Sequence, residues 1–231
     1  MASSDTIRIG MIGAGTVGGG VYEIIHGRLG QQATSSSSIP IPSKGFTNLS
    51  LRPCVISKIC VRDINKARSF QIDNKLTSVT TDINDIIYDE NIDIVLELIG
   101  GVDLAKTVVI KSLKLGKSVV SANKVLIAEC LDEIKQAALV GDGYRQTYFA
   151  YEAAVCGGIP IIQAMQGCFS GDIIHKVMGI CNGTTNFMLG KMEKEGSDYN
   201  EILKDTQDLG FADPTTNAEG HDIAILAKLV R

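Results

Sequence analysis

The clearest chemical capacity in this 231-residue chain lies in its glycines. Gly13-Ala14-Gly15-Thr16-Val17-Gly18 follows the apolar run Ile7, Ile9, Met11, Ile12 and precedes Val21, Tyr22, Ile24 and Ile25 at helical spacing. That order is strand, tight turn, helix, the opening of a dinucleotide-binding unit. Gly13 permits the turn, Gly15 leaves room for a pyrophosphate against the backbone, and Gly18 lets the helix lie close to the strand. The amides of the first helical turn, at Thr16, Val17 and Gly18, and the helix dipole then face the phosphates. The plain alternative is a glycine-rich turn with no ligand.

A basic group, Arg62-Asp63-Ile64-Asn65-Lys66-Ala67-Arg68, follows an apolar strand over 55–61. In this architecture the end of the second strand meets the adenine ribose. An acidic residue there favours a free 2′-hydroxyl, and an arginine accommodates a 2′-phosphate. Arg62, with Lys66 and Arg68 behind it, favours NADP. Asp63 keeps NAD open, and a solvated charge cluster at a helix start accounts for the same residues. A third group, Asn182-Gly183-Thr184-Thr185-Asn186, sits between an apolar run and a helical pattern over 187–192. Its hydroxyls and amides either cap that helix or bind a small polar substrate.

These groups need elements to position them. The pattern predicts a short strand over 78–81, a helix over 82–90 and an apolar strand over 92–99 that ends at Gly100-Gly101. It then predicts a helix over 103–115, opened by Asp103 and stopped at Gly116, and a strand over 118–121 leading into Ala122-Asn123-Lys124. A helix over 125–140 and a strand over 146–151 follow. Alternating strands and helices imply a Rossmann-type, doubly wound parallel sheet, α/β in class, with helices on both faces. Ligands of such sheets sit at the carboxyl ends of the strands. The glycine turn, Arg62, Gly100-Gly101 and Asn123-Lys124 all fall there. Residues 1–150 are thus expected to form a dinucleotide-binding domain.

After residue 151 the texture changes. A turn-rich stretch over 152–160 leads into a helix over 161–168, a strand over 173–181 and a polar helix over 200–209 that ends at Gly210. We expect a second, α+β domain over 151–231. Residues 31–50, with four consecutive serines and two prolines, are expected to form a mobile surface loop, a tolerated insertion.

Composition excludes several classes. Apolar residues make up 45% and the net charge is −4, so a core can form and no global basic field draws nucleic acid or anionic membrane. No apolar run approaches the length of a membrane helix. The six cysteines form no CxxC pair and read as reduced, mostly buried thiols. The three histidines are scattered, against a transition-metal site. A strand beginning at Ile7 leaves no visible presequence, so a cytoplasmic location is expected, with an organelle stroma open.

The blocks IGMIGAGTVGGGV, VRDINKAR, DIVLELIGG, VVSANK, YEAAVCGGIPII, GICNGTTNFML and DPTTNAEGHD run in order through nearly the whole chain. Together they resemble the homoserine dehydrogenase family. The resemblance implies reduction of L-aspartate 4-semialdehyde to L-homoserine with NAD(P)H, in the route to threonine, methionine and isoleucine. It implies a catalytic lysine at Lys124 and a catalytic-centre aspartate at Asp222. It adds Gly100 and Gly210 to the cofactor site, and Asn182, Thr184, Thr185, Asp213 and Asp222 to the substrate pocket. It also implies a monovalent cation, sodium by chemistry, held by Glu152 with the carbonyls of Val155, Gly157 and Ile159, and a homodimer. The plain alternatives are a surface lysine at a helix start for Lys124, which the helix dipole disfavours, and a helix-start carboxylate for Asp222, which it favours.

The departures from the family pattern cluster late. Ala212 runs straight into Asp213-Pro214 where a Glu-Ala pair is usual, and Asn217 replaces an aspartate. The family's second lysine, four residues after the aspartate matching Asp222, is here Leu226. Lys228 is six residues on, about 600° around a helix, and faces elsewhere. These features predict a truncated or divergent member with a complete cofactor half and an incomplete substrate half, whose leftover apolar surface favours association. Two other readings compete with the active enzyme. One is a catalytically impaired, dinucleotide-binding homologue acting as a partner or regulatory subunit. The other is an oxidoreductase of the same architecture with a different small amino or keto acid.

Overall fold

A computed structural model describes residues 6–33, 53–143, 147–176, 178–179, 183–196 and 198–208. Most of the expected loop over 31–50 lies outside them, as do Cys181, Asn182, Gly210, Asp213, Asn217, Asp222, Leu226 and Lys228.

The elements in chain order are β1 (Ile7–Ile12), α1 (Thr16–Ala33), β2 (Cys54–Cys60), β3 (Ser78–Thr80), α2 (Asn84–Ile87), β4 (Ile94–Glu97), α3 (Asp103–Lys114), β5 (Ser118–Ser121), α4 (Lys124–Val140) and β6 (Phe149–Ala150). The six strands form one sheet in the order β3-β2-β1-β4-β5-β6, parallel throughout. This is the doubly wound order, with its switch point between β1 and β4.

Alternation along the strands assigns the two faces. Met11 and Leu96 join Tyr22 of α1 in one apolar cluster, while Ile12 and Val95 join α3 and α4 in the other. On α3, Ala105, Val108, Val109, Ser112 and Leu113 are the buried stripe at helical spacing. Leu126, Cys130, Ile134 and Ala137 do the same on α4. With helices on both faces of the sheet, the interior strands β1 and β4 have little solvent side, which explains their near-continuous apolar runs.

The helix expected over 82–90 shrinks to the single turn of α2, because Asp82 spends its carboxylate on the Asn84 amide (2.8 Å) and Asp89 spends its own on Asn91 (3.0 Å). Asx turns of this kind compete with helix at both ends.

By contacts the chain divides into two units, residues 1–126 with 130–151, and 127–129 with 152–231. In the second unit a 3₁₀ turn (Glu152–Ala154) precedes α5 (Ile161–Gln163), which continues as a π-helical segment (Ala164–Cys168). α6 (Gly183–Glu195) and α7 (Tyr199–Asp208) pack together, linked by Lys191 and Asp205 at 3.3 Å. The strand expected over 173–181 is not seen: its described residues carry no regular structure, and Ile173 and Met178 are 82% and 78% exposed. β-branched content suggested a strand, but a strand needs a neighbour for its backbone groups, and no described strand pairs with it. The cysteines are less buried than expected. Cys60 and Cys130 are buried, Cys54 is half-buried, and Cys156 and Cys168 are exposed, none of these five in a disulfide. No helix among the described residues is long and apolar enough to cross a membrane.

Candidate cofactor and active site

The three glycines of the turn differ in what surrounds them. Gly13 has φ +102°, and a Cβ there would collide with the Leu98 carbonyl. A Cβ at Gly18 would collide with the Gly13 carbonyl. At Gly15 a Cβ would meet nothing within 4 Å. Two glycines are therefore required by the protein's own packing, and the third borders open space, where bulk would obstruct only a ligand. The first hydrogen bond of α1 runs from the Gly19 amide to the Gly15 carbonyl at 2.8 Å. The amides of Thr16, Val17 and Gly18 precede that ladder and have no carbonyl within the helix to reach. Thr16 and Val17 are exposed. A cradle of this shape fits a dinucleotide pyrophosphate.

The carboxyl end of β2 is joined to this turn, since the Gly13 amide donates to the Cys60 carbonyl at 3.0 Å. Beyond Val61 the chain does not start a helix. Asp63 accepts from the Asn65 amide (2.8 Å), and the Arg68 guanidinium donates to the carbonyls of Asp63 (2.7 Å), Ile64 (3.2 Å) and Lys66 (3.0 Å). Arg68 thus shapes the loop, while Arg62 and Lys66 are exposed on it.

At the switch point, β4 ends on Glu97, which is fully buried. Its Oε1 accepts from the Ile99 amide (3.0 Å) and its Oε2 from the Ser121 hydroxyl (2.5 Å). Burial pushes the Glu97 carboxyl up, and hydrogen bonds from Ser121, the Ile99 amide and Asn123 oppose that rise. Ser121 in turn accepts from the Asn123 amide at 3.1 Å. The Asn123 side chain caps α4 by accepting from the Leu126 amide (3.1 Å), and donates to the carbonyls of Ile99 (3.1 Å) and Gly101 (2.7 Å). Lys124 is the first residue of α4 and is exposed. Gly100 and Gly101 have no atom within 4 Å of a built Cβ, and Gly101 has φ +84°. One sheet end therefore carries Gly13, Gly15, Thr16, Val17, Gly18, Arg62, Lys66, Gly100 and Lys124. The sequence reading missed Glu97 and Ser121. The signal was a lone charge inside the apolar run DIVLELIGG, which a buried strand tolerates only with partners.

In the second unit, Glu152, Val155, Gly157 and Ile159 share one loop, which turns through Cys156 (φ +56°) and Gly157 (φ +59°). The Glu152 carboxylate caps α5, accepting from the amides of Ile162 and Gln163, each at 2.9 Å. It retains lone pairs beyond those two bonds, and an oxygen-only donor set suits a hard monovalent cation. Among the described residues no group of His, Cys, Asp and Glu has the makings of a transition-metal site. Thr184 and Thr185 lie in the first turn of α6.

The family model for the homoserine dehydrogenase NAD-binding domain matches residues 13–144, and that for homoserine dehydrogenase matches residues 160–230. The homoserine dehydrogenase of Bacillus subtilis is 41% identical over 96% of this chain and 48% of its own length. That of Synechocystis is 36% identical over 97% and 48%. The chain thus spans about half the length of the curated relatives it matches. Among solved structures, the homoserine dehydrogenase of Thiobacillus denitrificans superposes with a TM-score of 0.76 at 36% identity, covering 95% of this chain and 47% of that one. The putative enzyme of Archaeoglobus fulgidus gives 0.69 at 25%, covering 97% and 66%. With one family model matched over more than half of the chain and a second matched over the segment that follows, the chain belongs to the homoserine dehydrogenase family.

Proposed function

We propose that this protein interconverts L-aspartate 4-semialdehyde and L-homoserine with NADP(H), on the route to threonine, methionine and isoleucine. The observation that carries this reading is the placement of Lys124. It heads α4 at the carboxyl end of β5, on the same sheet end as a glycine turn whose middle glycine faces open space.

The nicotinamide, when bound, supplies or accepts the hydride. The Lys124 ammonium stabilises negative charge developing on the carbonyl oxygen and donates a proton to it; as a neutral amine it accepts that proton in reverse. The amides of Thr16, Val17 and Gly18 hold the pyrophosphate, and Gly100 and Gly210 complete the cofactor site. Arg62 and Lys66 offer two cations to a 2′-phosphate, which favours NADP over NAD. Asn182, Thr184, Thr185, Asp213 and Asp222 orient the polar substrate, with Asp222 in the catalytic centre. Glu152 and the carbonyls of Val155, Gly157 and Ile159 hold a monovalent cation, sodium by donor chemistry. The functional unit is a homodimer in the cytoplasm or an organelle stroma. Exposed Ile159, Phe169 and Ile173 in the second unit support association.

The test is NADPH formation from NADP and L-homoserine at alkaline pH, beside the same assay with NAD. The expected result is turnover, faster with NADP, that Lys124→Ala abolishes while NADPH binding persists. Tight NADPH binding with no turnover by the unaltered chain would overturn the enzyme reading and return the silent-subunit alternative.

A further inference from the structure

A carboxylate at the centre of a parallel sheet is expensive. Glu97 is fully buried, on the last rung of β4 opposite Ile12 of β1 and Ser121 of β5. An apolar residue would fill that position without the desolvation cost. What the carboxylate adds is a chain of directional bonds. Its two oxygens hold the Ile99 amide and the fully buried Ser121 hydroxyl. The Ser121 oxygen holds the Asn123 amide. Asn123, itself 8% exposed, uses all of its side chain: one oxygen to cap α4, and one amino group shared between the carbonyls of Ile99 and Gly101.

The output of this chain is the geometry of two things. One is the Gly100–Gly101 turn, whose backbone borders open space. The other is the first residue of α4, Lys124. Both belong to the second half of the doubly wound sheet. In this architecture each half serves one mononucleotide, and the glycine turn and Arg62 belong to the first. The network is therefore placed to act on the nicotinamide half and not on the adenosine half.

We propose that Glu97, Ser121 and Asn123 are positioning residues for the nicotinamide half of the cofactor, holding the Gly100–Gly101 turn and the start of α4 in one fixed arrangement. The proposal rests on the dinucleotide reading of the sheet and deepens it. It does not depend on turnover.

The experiment compares two ligands that differ only in the nicotinamide. NADPH and 2′-phospho-ADP-ribose are titrated against the full chain, Glu97→Gln and Asn123→Ser by calorimetry, with thermal unfolding followed in parallel. Serine keeps the cap of α4 but cannot tie Ile99 to Gly101, so Asn123→Ser retains fold stability even where Glu97→Gln unfolds. The expected result is a loss of about tenfold in NADPH affinity in the variants, with 2′-phospho-ADP-ribose affinity within about twofold of the unaltered chain. An equal loss for both ligands would reduce the network to general structural support and overturn the proposal, as would NADPH affinity unchanged in Asn123→Ser. An unaltered chain that binds neither ligand would instead overturn the dinucleotide reading beneath it.

Discussion

The two halves of the sheet's carboxyl end are built on opposite strategies. At the β1 end, shape comes from omission. Gly13 and Gly18 leave out side chains that would strike the Leu98 and Gly13 carbonyls, and Gly15 leaves out one that would strike nothing in the protein. At the β4–β5 end, shape comes from an expensive inclusion, a buried carboxylate with a serine and an asparagine that bridge strand, turn and helix. Omission works where the ligand's phosphates must approach backbone amides closely. Inclusion works where a turn and a helix start must be set against each other, because hydrogen bonds fix direction as well as distance. A phosphate cradle tolerates a flexible ligand; a hydride transfer needs reacting atoms held in line.

Gly13→Ala tests the first strategy most severely. A side chain at φ +102° facing the Leu98 carbonyl should cost about 2–4 kcal/mol of stability and abolish dinucleotide binding, as read from urea midpoints and NADPH fluorescence. If alanine is accommodated without loss, sterics do not shape that turn. Ser121→Ala probes the second. It leaves Glu97 Oε2 and the Asn123 amide without their shared partner inside a buried site, at about 1–3 kcal/mol in the same urea experiment. A neutral outcome would mean that the network relaxes around the gap.

Asp89, in the loop that leads into the amino end of β4, supplies a control. Lys58 Nζ lies 2.9 Å from Asp89, holding its carboxyl down at about 2. A folded-state value below the unfolded one adds stability that is fully present above pH about 4 and is lost as pH falls through about 2. Lys58→Met should therefore lower stability at neutral pH by no more than about 1 kcal/mol, given the pair's partial exposure. The deficit should shrink as pH falls through about 2, with cofactor affinity untouched throughout. An effect on affinity would show that the two ends of the sheet are coupled.

The same contrast decides how much was legible in the sequence. Omission is local. Gly13, Gly15 and Gly18 stand within one short turn between a strand and a helix, so the element could be read directly. The strand that starts at Ile7 and the helix opened by Asp103 were legible for the same reason. Inclusion is long-range. Glu97 meets Ser121 across 24 residues, and Asn123 meets Gly101 across 22, so their chemistry exists only once β4 and β5 pair. Arg68 was read as one more cation for a phosphate, yet it folds its own loop through three carbonyls. Apolar content over 173–181 was read as a strand, although strand formation depends on a neighbour that local pattern does not encode. Glu152, read as a cation ligand, is seen capping α5, a use that required knowing where that helix begins.

The central claim is that the open space beside Gly15 receives a nicotinamide dinucleotide. A fluorescence titration of NADPH against the unaltered chain and Gly15→Ala tests it directly. Alanine at that position meets no protein atom within 4 Å, so the unfolding free energy should stay within about 0.5 kcal/mol of the original while affinity falls by at least about tenfold. Saturable binding that is identical in the two proteins, or absent from the unaltered chain, would contradict the claim.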